Sequence, residues 1–154
     1  METITYRQAR LEDLPQIVNL LAQDKLGSQR ERYEDPLPEV YVEAFSRIQA
    51  DANQELWVVE IAGEGIVGTF QMSFIPYLTY QGRSRAQIEA VRIREDQRGK
   101  GLGEAVFRWA IERAREKGTH LLQLTTDKKR ADAIRFYEKL GFTASHEGMK
   151  LHFT

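Results

Sequence analysis

The chain has 154 residues, 42% of them hydrophobic and 29% charged, with a formal net charge of -1 and no cysteine. That length suits one domain around a single core, and the near-neutral charge gives no global pull towards nucleic acid or an acidic membrane. Without cysteine there is no thiol nucleophile, thiolate-held metal or disulfide, which fits an intracellular protein.

Met1 to Arg10 mixes polar and charged residues and lacks the apolar core of a signal peptide. No apolar run approaches the roughly 20 residues of a membrane span. A cytoplasmic protein with no membrane partner is expected. Ile4, Tyr6 and Gln8 alternate as a short first strand. Leu14, Ile17, Val18 and Leu21 then form one apolar helical stripe, with Pro15 in the first turn, where its missing N–H does little harm. Gln23 to Pro38 is polar and broken by Gly27, Pro36 and Pro38. Tyr41, Phe45 and Ile48 give a second helical stripe, from Val40 to about Ala50.

Strands are predicted at Leu56 to Ile61, Ile66 to Phe74 and Ala86 to Arg94, with Pro76 interrupting and Gln81-Gly82-Arg83 turning the chain. A helix with Leu102, Ala105, Val106, Trp109 and Ala110 on one face runs to about Lys117 and stops at Gly118. A strand over Leu121 to Thr125, a helix carrying Ala133, Phe136, Tyr137 and Leu140, and strands at Phe142 to Ser145 and Met149 to Phe153 complete the chain. Successive strands without helices argue for antiparallel pairing, and the later strand-helix-strand unit for a parallel crossover.

Between the third of the middle strands and its helix lies Arg98-Gly99-Lys100-Gly101-Leu102-Gly103. Alternate glycines bare the backbone, and the unpaired N–H groups of a helix's first turn sit at the positive end of its dipole. An anion, most often a phosphate, belongs there. A P-loop is excluded because Glu104 and Ala105 follow Gly103, and a dinucleotide fingerprint fails from both Gly99 and Gly101.

What remains, R-x-x-G-x-G after a strand, resembles the acyl-CoA pyrophosphate loop of the GNAT superfamily of N-acetyltransferases. Ala133 to Phe142, A-I-R-F-Y-E-K-L-G-F, resembles that superfamily's helix-to-strand segment, and Thr5 to Pro15 its usual start. The resemblance implies an α/β fold spanning residues 1–154: a central mixed, mostly antiparallel sheet of about six to seven strands with helices on both faces. It implies an acyltransferase that moves an acetyl group from acetyl-CoA, as co-substrate, to a primary amine of a small molecule by direct attack in a ternary complex. An enzyme acting on protein or peptide amines, and an acyl-CoA-binding sensor or interaction module without turnover, are the alternatives.

The resemblance assigns pyrophosphate binding to Arg98, Gly99, Lys100, Gly101, Leu102 and Gly103. It gives the thioester to the backbone of Val91, Arg92 and Ile93, and further cofactor contacts to Ala133 and Phe136. Arg130 stands where the family often has Asn. With Lys128 and Lys129 it either meets a cofactor phosphate or forms a solvated basic turn. An acceptor amine with a pKa of about 10.4 must lose a proton before attack. Glu89 is the candidate base, since period-two alternation puts it on one face with Val91 and Ile93; the other readings are a solvent-facing or Arg-paired carboxylate, or a water relay. Tyr137 occupies the family's general-acid position, or else is a core aromatic.

His120, His146 and His152 fit no metal-ligand spacing, so no metal is expected. Between Arg30 and Glu43, five carboxylates (Glu31, Glu34, Asp35, Glu39, Glu43) face two arginines, with Tyr33 and Tyr41 interleaved. With Tyr77 and Tyr80 they make either an acidic, aromatic-rimmed pocket for a cationic amine or a solvated face. A homodimer through Trp57 and the Tyr77 to Tyr80 edge is a further expectation.

Overall fold

A computed structural model describes residues 3–154. Met1 and Glu2, the start of the polar amino terminus, lie outside it. The residues up to Gln123 make one folded unit, and those from Leu124 make a second. The first contains β1 (Ile4–Gln8), α1 (Leu14–Ala22), the one-turn α2 (Gly27–Arg30), α3 (Glu39–Ala50), β2 (Gln54–Ile61), β3 (Gly65–Ile75), the one-turn α4 (Thr79–Gly82), β4 (Arg85–Ile93), α5 (Leu102–Glu116) and β5 (Leu122–Gln123). The second contains α6 (Ala131–Lys139).

The sheet runs in the order β1-β2-β3-β4-β5. The first four strands pair antiparallel, and β5 joins β4 in parallel after the α5 crossover. The expected mixed, mostly antiparallel sheet is therefore present, with five strands in place of six to seven. Phe142 to Ser145 and Met149 to Phe153 are not strands. Alternation alone does not make one: a strand needs a hydrogen-bonded neighbour and a face to bury. Met149, Leu151 and Phe153 are instead 93%, 81% and 92% exposed.

Both faces of the sheet carry helices. On one, Tyr6, Trp57 and Phe70 meet Trp109 of α5. The Trp109 ring stacks on Tyr6 at 4.6 Å and sits edge-on to Trp57 at 4.6 Å and to Phe70 at 5.9 Å. Burial there pushes the Tyr6 hydroxyl up to about 12. Trp57, read from the sequence as a dimer contact, belongs to this core. Glu55, itself buried, receives two bonds from the Arg113 guanidinium at 3.0 Å and 2.5 Å and one from Trp57 Nε1 at 3.1 Å, fastening α5 to β2. On the other face Val58 packs with Leu14, Ile17 and Leu20 of α1 and Phe45 of α3.

The entry to α1 turns on Asp13, which is buried. It accepts the Arg10 N–H at 2.7 Å and both Nη atoms of Arg7 at 2.7 Å and 2.9 Å. Arg7 also bonds Glu60 through Nε. The Arg7 hydrogen bonds hold the Asp13 carboxyl below its ordinary value. A lowered folded-state value stabilises the fold above the unfolded carboxylate pKa, and that contribution is lost as pH falls through the folded value. Asp13→Asn therefore destabilises the chain by about 2 kcal/mol at neutral pH. In urea unfolding the gap narrows steadily once pH drops below about 4.

Among the described residues no helix is long and apolar enough to cross a membrane.

Candidate active site

The glycine stretch lies at the strand-to-helix turn that the sequence predicts. A short 3-10 turn, Glu95–Gln97, follows β4 and delivers the chain to the start of α5. Gly99 and Gly101 take the left-handed conformation, at φ 76° and 82°, and a Cβ at either would meet open space. No side chain caps α5, so its first-turn N–H groups stay available beside the exposed Lys100. Leu102 is buried beneath the turn and Gly103 half-buried, so these two offer backbone only. Arg98 donates from Nε to the Ile93 carbonyl at 3.1 Å, tying the loop to the end of β4.

Arg94 also positions this loop, and nothing in the sequence singles it out. Its guanidinium donates to the Glu64 carbonyl at 2.8 Å and the Ile66 carbonyl at 3.1 Å, and pairs with Asp96 at 2.7 Å. The Arg94 partnership holds the Asp96 carboxyl low, with Lys100 adding to it. The loop's first residues are thus pinned to the β2–β3 hairpin.

β4 contains an irregularity that the alternation reading misses. Gln71 pairs with Glu89 and Thr69 with Arg92, so β4 carries one residue more than β3 between these pairs. The bulge sits at Ala90, at φ 54°, an uncommon conformation for a residue with a Cβ. It resets the faces. Glu89 and Arg92 share the face covered by α1 and α3, whereas Val91 and Ile93 turn to the α5 side. The expected shared face of Glu89 with Val91 and Ile93 is corrected accordingly. Arg92 reaches Asp24 just beyond α1 at 3.1 Å. Glu89 is exposed and accepts a bond from Gln87 Nε2 at 2.5 Å. The premise of a carboxylate stranded on an apolar face does not hold; Glu89 is an accessible acceptor beside a bulge.

β5 accompanies β4 only through Ala86 and Gln87. Beyond them, the backbone of Ile88 to Ile93 has β3 on one side and no paired β5 residue on the other. The Val91 carbonyl accepts from Arg92 Nη1 at 2.9 Å and the Ile93 carbonyl from Arg98 Nε at 3.1 Å, so it is backbone N–H groups along Val91, Arg92 and Ile93 that can serve an extended ligand. Together with the bare turn at Gly99 and Gly101, this is a cradle of suitable chemistry for an acyl-CoA, with anion sites at one end and a strand-like edge leading away.

In the second unit Arg130 precedes α6, its N–H bonding to the Asp127 carbonyl at 3.0 Å, and Lys128 pairs with Glu147 at 2.8 Å. Ala133, Phe136 and Tyr137 are half-buried on α6. The helix ends at Gly141, φ 101°, with Phe142 N–H bonding back to the Tyr137 carbonyl and Gly141 N–H to the Glu138 carbonyl, each at 3.0 Å. That is the Schellman pattern, completed by the Tyr137–Phe142 ring contact at 6.0 Å. Half of the A-x-x-F-Y-E-K-x-G-F segment thus answers a need to stop a helix.

The aromatic-rimmed acidic pocket is not assembled as expected. Tyr77 and Tyr80 already flank the Arg85 guanidinium, at 4.6 Å and 5.4 Å from their centroids. Arg32 pairs with Glu34 at 2.9 Å, and Tyr41 donates to Glu31 at 2.9 Å. Tyr41 instead borders a cavity of about 180 Å³ between α1, α3 and the sheet, which also reaches Gln71 and Ala90. Among the described residues, no cluster of three or more His, Asp or Glu side chains is arranged to hold a metal.

This fold and site define a class. A family model described as the acetyltransferase (GNAT) family matches residues 15–142. The chain belongs to that family and is an acyltransferase. L-methionine sulfoximine/L-methionine sulfone acetyltransferase of Pseudomonas aeruginosa is 29% identical over 140 residues, covering 90% of this chain and 80% of that one. Glucosamine 6-phosphate N-acetyltransferase of Trypanosoma brucei brucei is 37% identical over 86 residues, a stretch that spans 56% of each protein. Among solved structures, a protein from Bacillus halodurans C-125 described as a transcriptional regulator is 58% identical, with a TM-score of 0.92, covering 98% of this chain and 100% of that one. A putative acetyltransferase from Agrobacterium tumefaciens C58 is 27% identical with a TM-score of 0.83, covering 96% of this chain and 99% of that one.

Proposed function

We propose that the chain, as one domain over residues 1–154, transfers an acetyl group from acetyl-CoA to a primary amine of a small molecule. The observation that carries this is the uncapped α5 terminus, opened by Gly99 and Gly101 at positive φ and following a strand that pairs with β5 only through Ala86 and Gln87. Acetyl-CoA supplies the activated acyl thioester. The N–H groups of Gly99 to Gly103 receive its pyrophosphate, the Arg98 N–H being held by the Glu95 carbonyl at 3.3 Å, with Lys100 as a mobile counter-charge, and Ala133, Phe136 and Arg130 are proposed as its further contacts.

Glu89, directly or through one water, takes the proton that the acceptor ammonium must lose. Backbone N–H groups within Val91 to Ile93 polarise the donor carbonyl, an interaction worth a few kcal/mol where water is excluded. As the N–C bond forms and the C–S bond breaks, Tyr137 gives a proton to the departing sulfur. The named small-molecule acetyltransferases among the relatives support this acceptor class over protein or peptide amines.

The test is calorimetric titration of acetyl-CoA, followed by a free-thiol release assay with a panel of amines. Binding with amine-dependent release is the expected result. Binding without release on any amine points to a sensor, a reading to which the regulator description of the Bacillus halodurans relative lends some support. No binding overturns the assignment of the glycine turn.

A further inference from the structure

The cavity beside the β4 bulge has the size and chemistry of a side-chain pocket. Its volume is about 180 Å³, and its walls come from Leu14, Ile17 and Leu21 of α1, Phe45 and Ile48 of α3, and Leu56 of the sheet. A dry apolar cavity of about 150 Å³ accepts benzene, so this one holds an aryl or branched alkyl group of roughly six carbons.

The polar side chains at its border are already engaged. Thr69 Oγ1 donates to the Trp57 carbonyl at 2.8 Å, Gln71 Nε2 to Gln54 Oε1 at 2.9 Å, and Tyr41 holds Glu31 and the Arg32 N–H, each at 2.9 Å. A polyhydroxylated or polycationic guest would bring polar groups into walls that do not satisfy them, at about 1–3 kcal/mol for each one left unpaired.

One end of the cavity touches the reacting region. Ala90 lines it, and Gln71, which also lines it, is the cross-strand partner of Glu89. A guest seated among the aliphatic walls therefore has its open end beside the Glu89 carboxylate.

We propose that the acceptor is a primary amine carrying one compact apolar group, which fills this cavity while the amine lies at Glu89. The assignment rests on the acetyltransferase reading above and narrows its substrate class. Two measurements separate the two ideas.

The first is thiol release from acetyl-CoA with benzylamine and 3-methylbutylamine against spermidine and glucosamine 6-phosphate, using wild type and Ala44→Leu. Ala44 is a half-buried cavity residue outside the proposed catalytic and cofactor groups. The apolar amines are expected to exceed the polar ones in kcat/KM by at least about tenfold, and Ala44→Leu to cut that value by a similar factor with KM for acetyl-CoA unmoved. Equal rates across the panel, or an Ala44→Leu variant indifferent to the amine, overturn the proposal. Should Ala44→Leu not fold, Ile48→Phe fills the same space.

The second is thermal melting with benzylamine and no acetyl-CoA. A rise in Tm that disappears in the filled variant supports the pocket even if no amine is turned over, an outcome that would sink only the enzymatic reading. No rise and no turnover sink both.

Discussion

Gly101→Glu abolishes detectable acetyl-CoA binding while leaving the fold intact. Gly101 stands at φ 82° immediately before α5, and a Cβ there meets nothing within 4 Å. The fold therefore has room for a side chain and bears only the left-handed backbone strain of an L residue, about 1–2 kcal/mol. The ligand has no such room. The new side chain stands where the backbone must approach a pyrophosphate, and its carboxylate brings negative charge to the positive end of the α5 dipole. A loss of at least about 10²-fold in affinity follows, since each 1.4 kcal/mol is a factor of ten. Calorimetric titration reads the affinity, and a melting curve confirms that the variant folds. A folded variant with wild-type affinity would place the cofactor elsewhere.

Tyr137→Phe lowers kcat by about 10²-fold with the acetyl-CoA Kd unchanged. The substitution keeps the ring and so keeps its edge contacts with Phe136 at 5.4 Å and Phe142 at 6.0 Å. Only the hydroxyl is lost. The effect belongs at the lower end of what general acids contribute, because a thiolate with a pKa of ~8.5 already leaves tolerably well. Steady-state kinetics at saturating acetyl-CoA, paired with a binding titration, separates the two roles. An unchanged kcat would make Tyr137 a packing aromatic of the α6 stop.

The parts of the fold that follow hydrophobic period were legible in the sequence. The Leu14–Ile17–Val18–Leu21 stripe became α1, and the Trp109 face became the buried side of α5, because a 3.6-residue repeat has little other use. Gly118 ended α5 as read, since a left-handed C′ residue carries its own signal. Pairing was less legible. Met149, Leu151 and Phe153 alternate like a strand, yet alternation does not supply a partner. The glycine turn was found because bare backbone at a helix start has a chemical meaning, whereas the Ala90 bulge was missed because alanine is not a bulge residue by habit. That miss moved Glu89 from one face of the sheet to the other. Arg94 was missed for a related reason: it works by reaching carbonyls 28 and 30 residues away, and no local pattern announces such a contact.

The bulge gives β4 two reading frames of opposite phase. Before Ala90 the even-numbered residues look towards α5, and after it the odd-numbered ones do. Deleting that single residue would restore regular alternation and leave every downstream side chain on its present face, with Val91 opposite Phe70, Arg92 opposite Thr69 and Ile93 opposite Gly68. The bulge thus keeps both halves of β4 in register with β3 while adding one residue of length between Glu89 and Arg92. What such a deletion would remove is the local kink: the left-handed Ala90 at the border of the cavity, and with it the extra backbone that separates Glu89 from Val91.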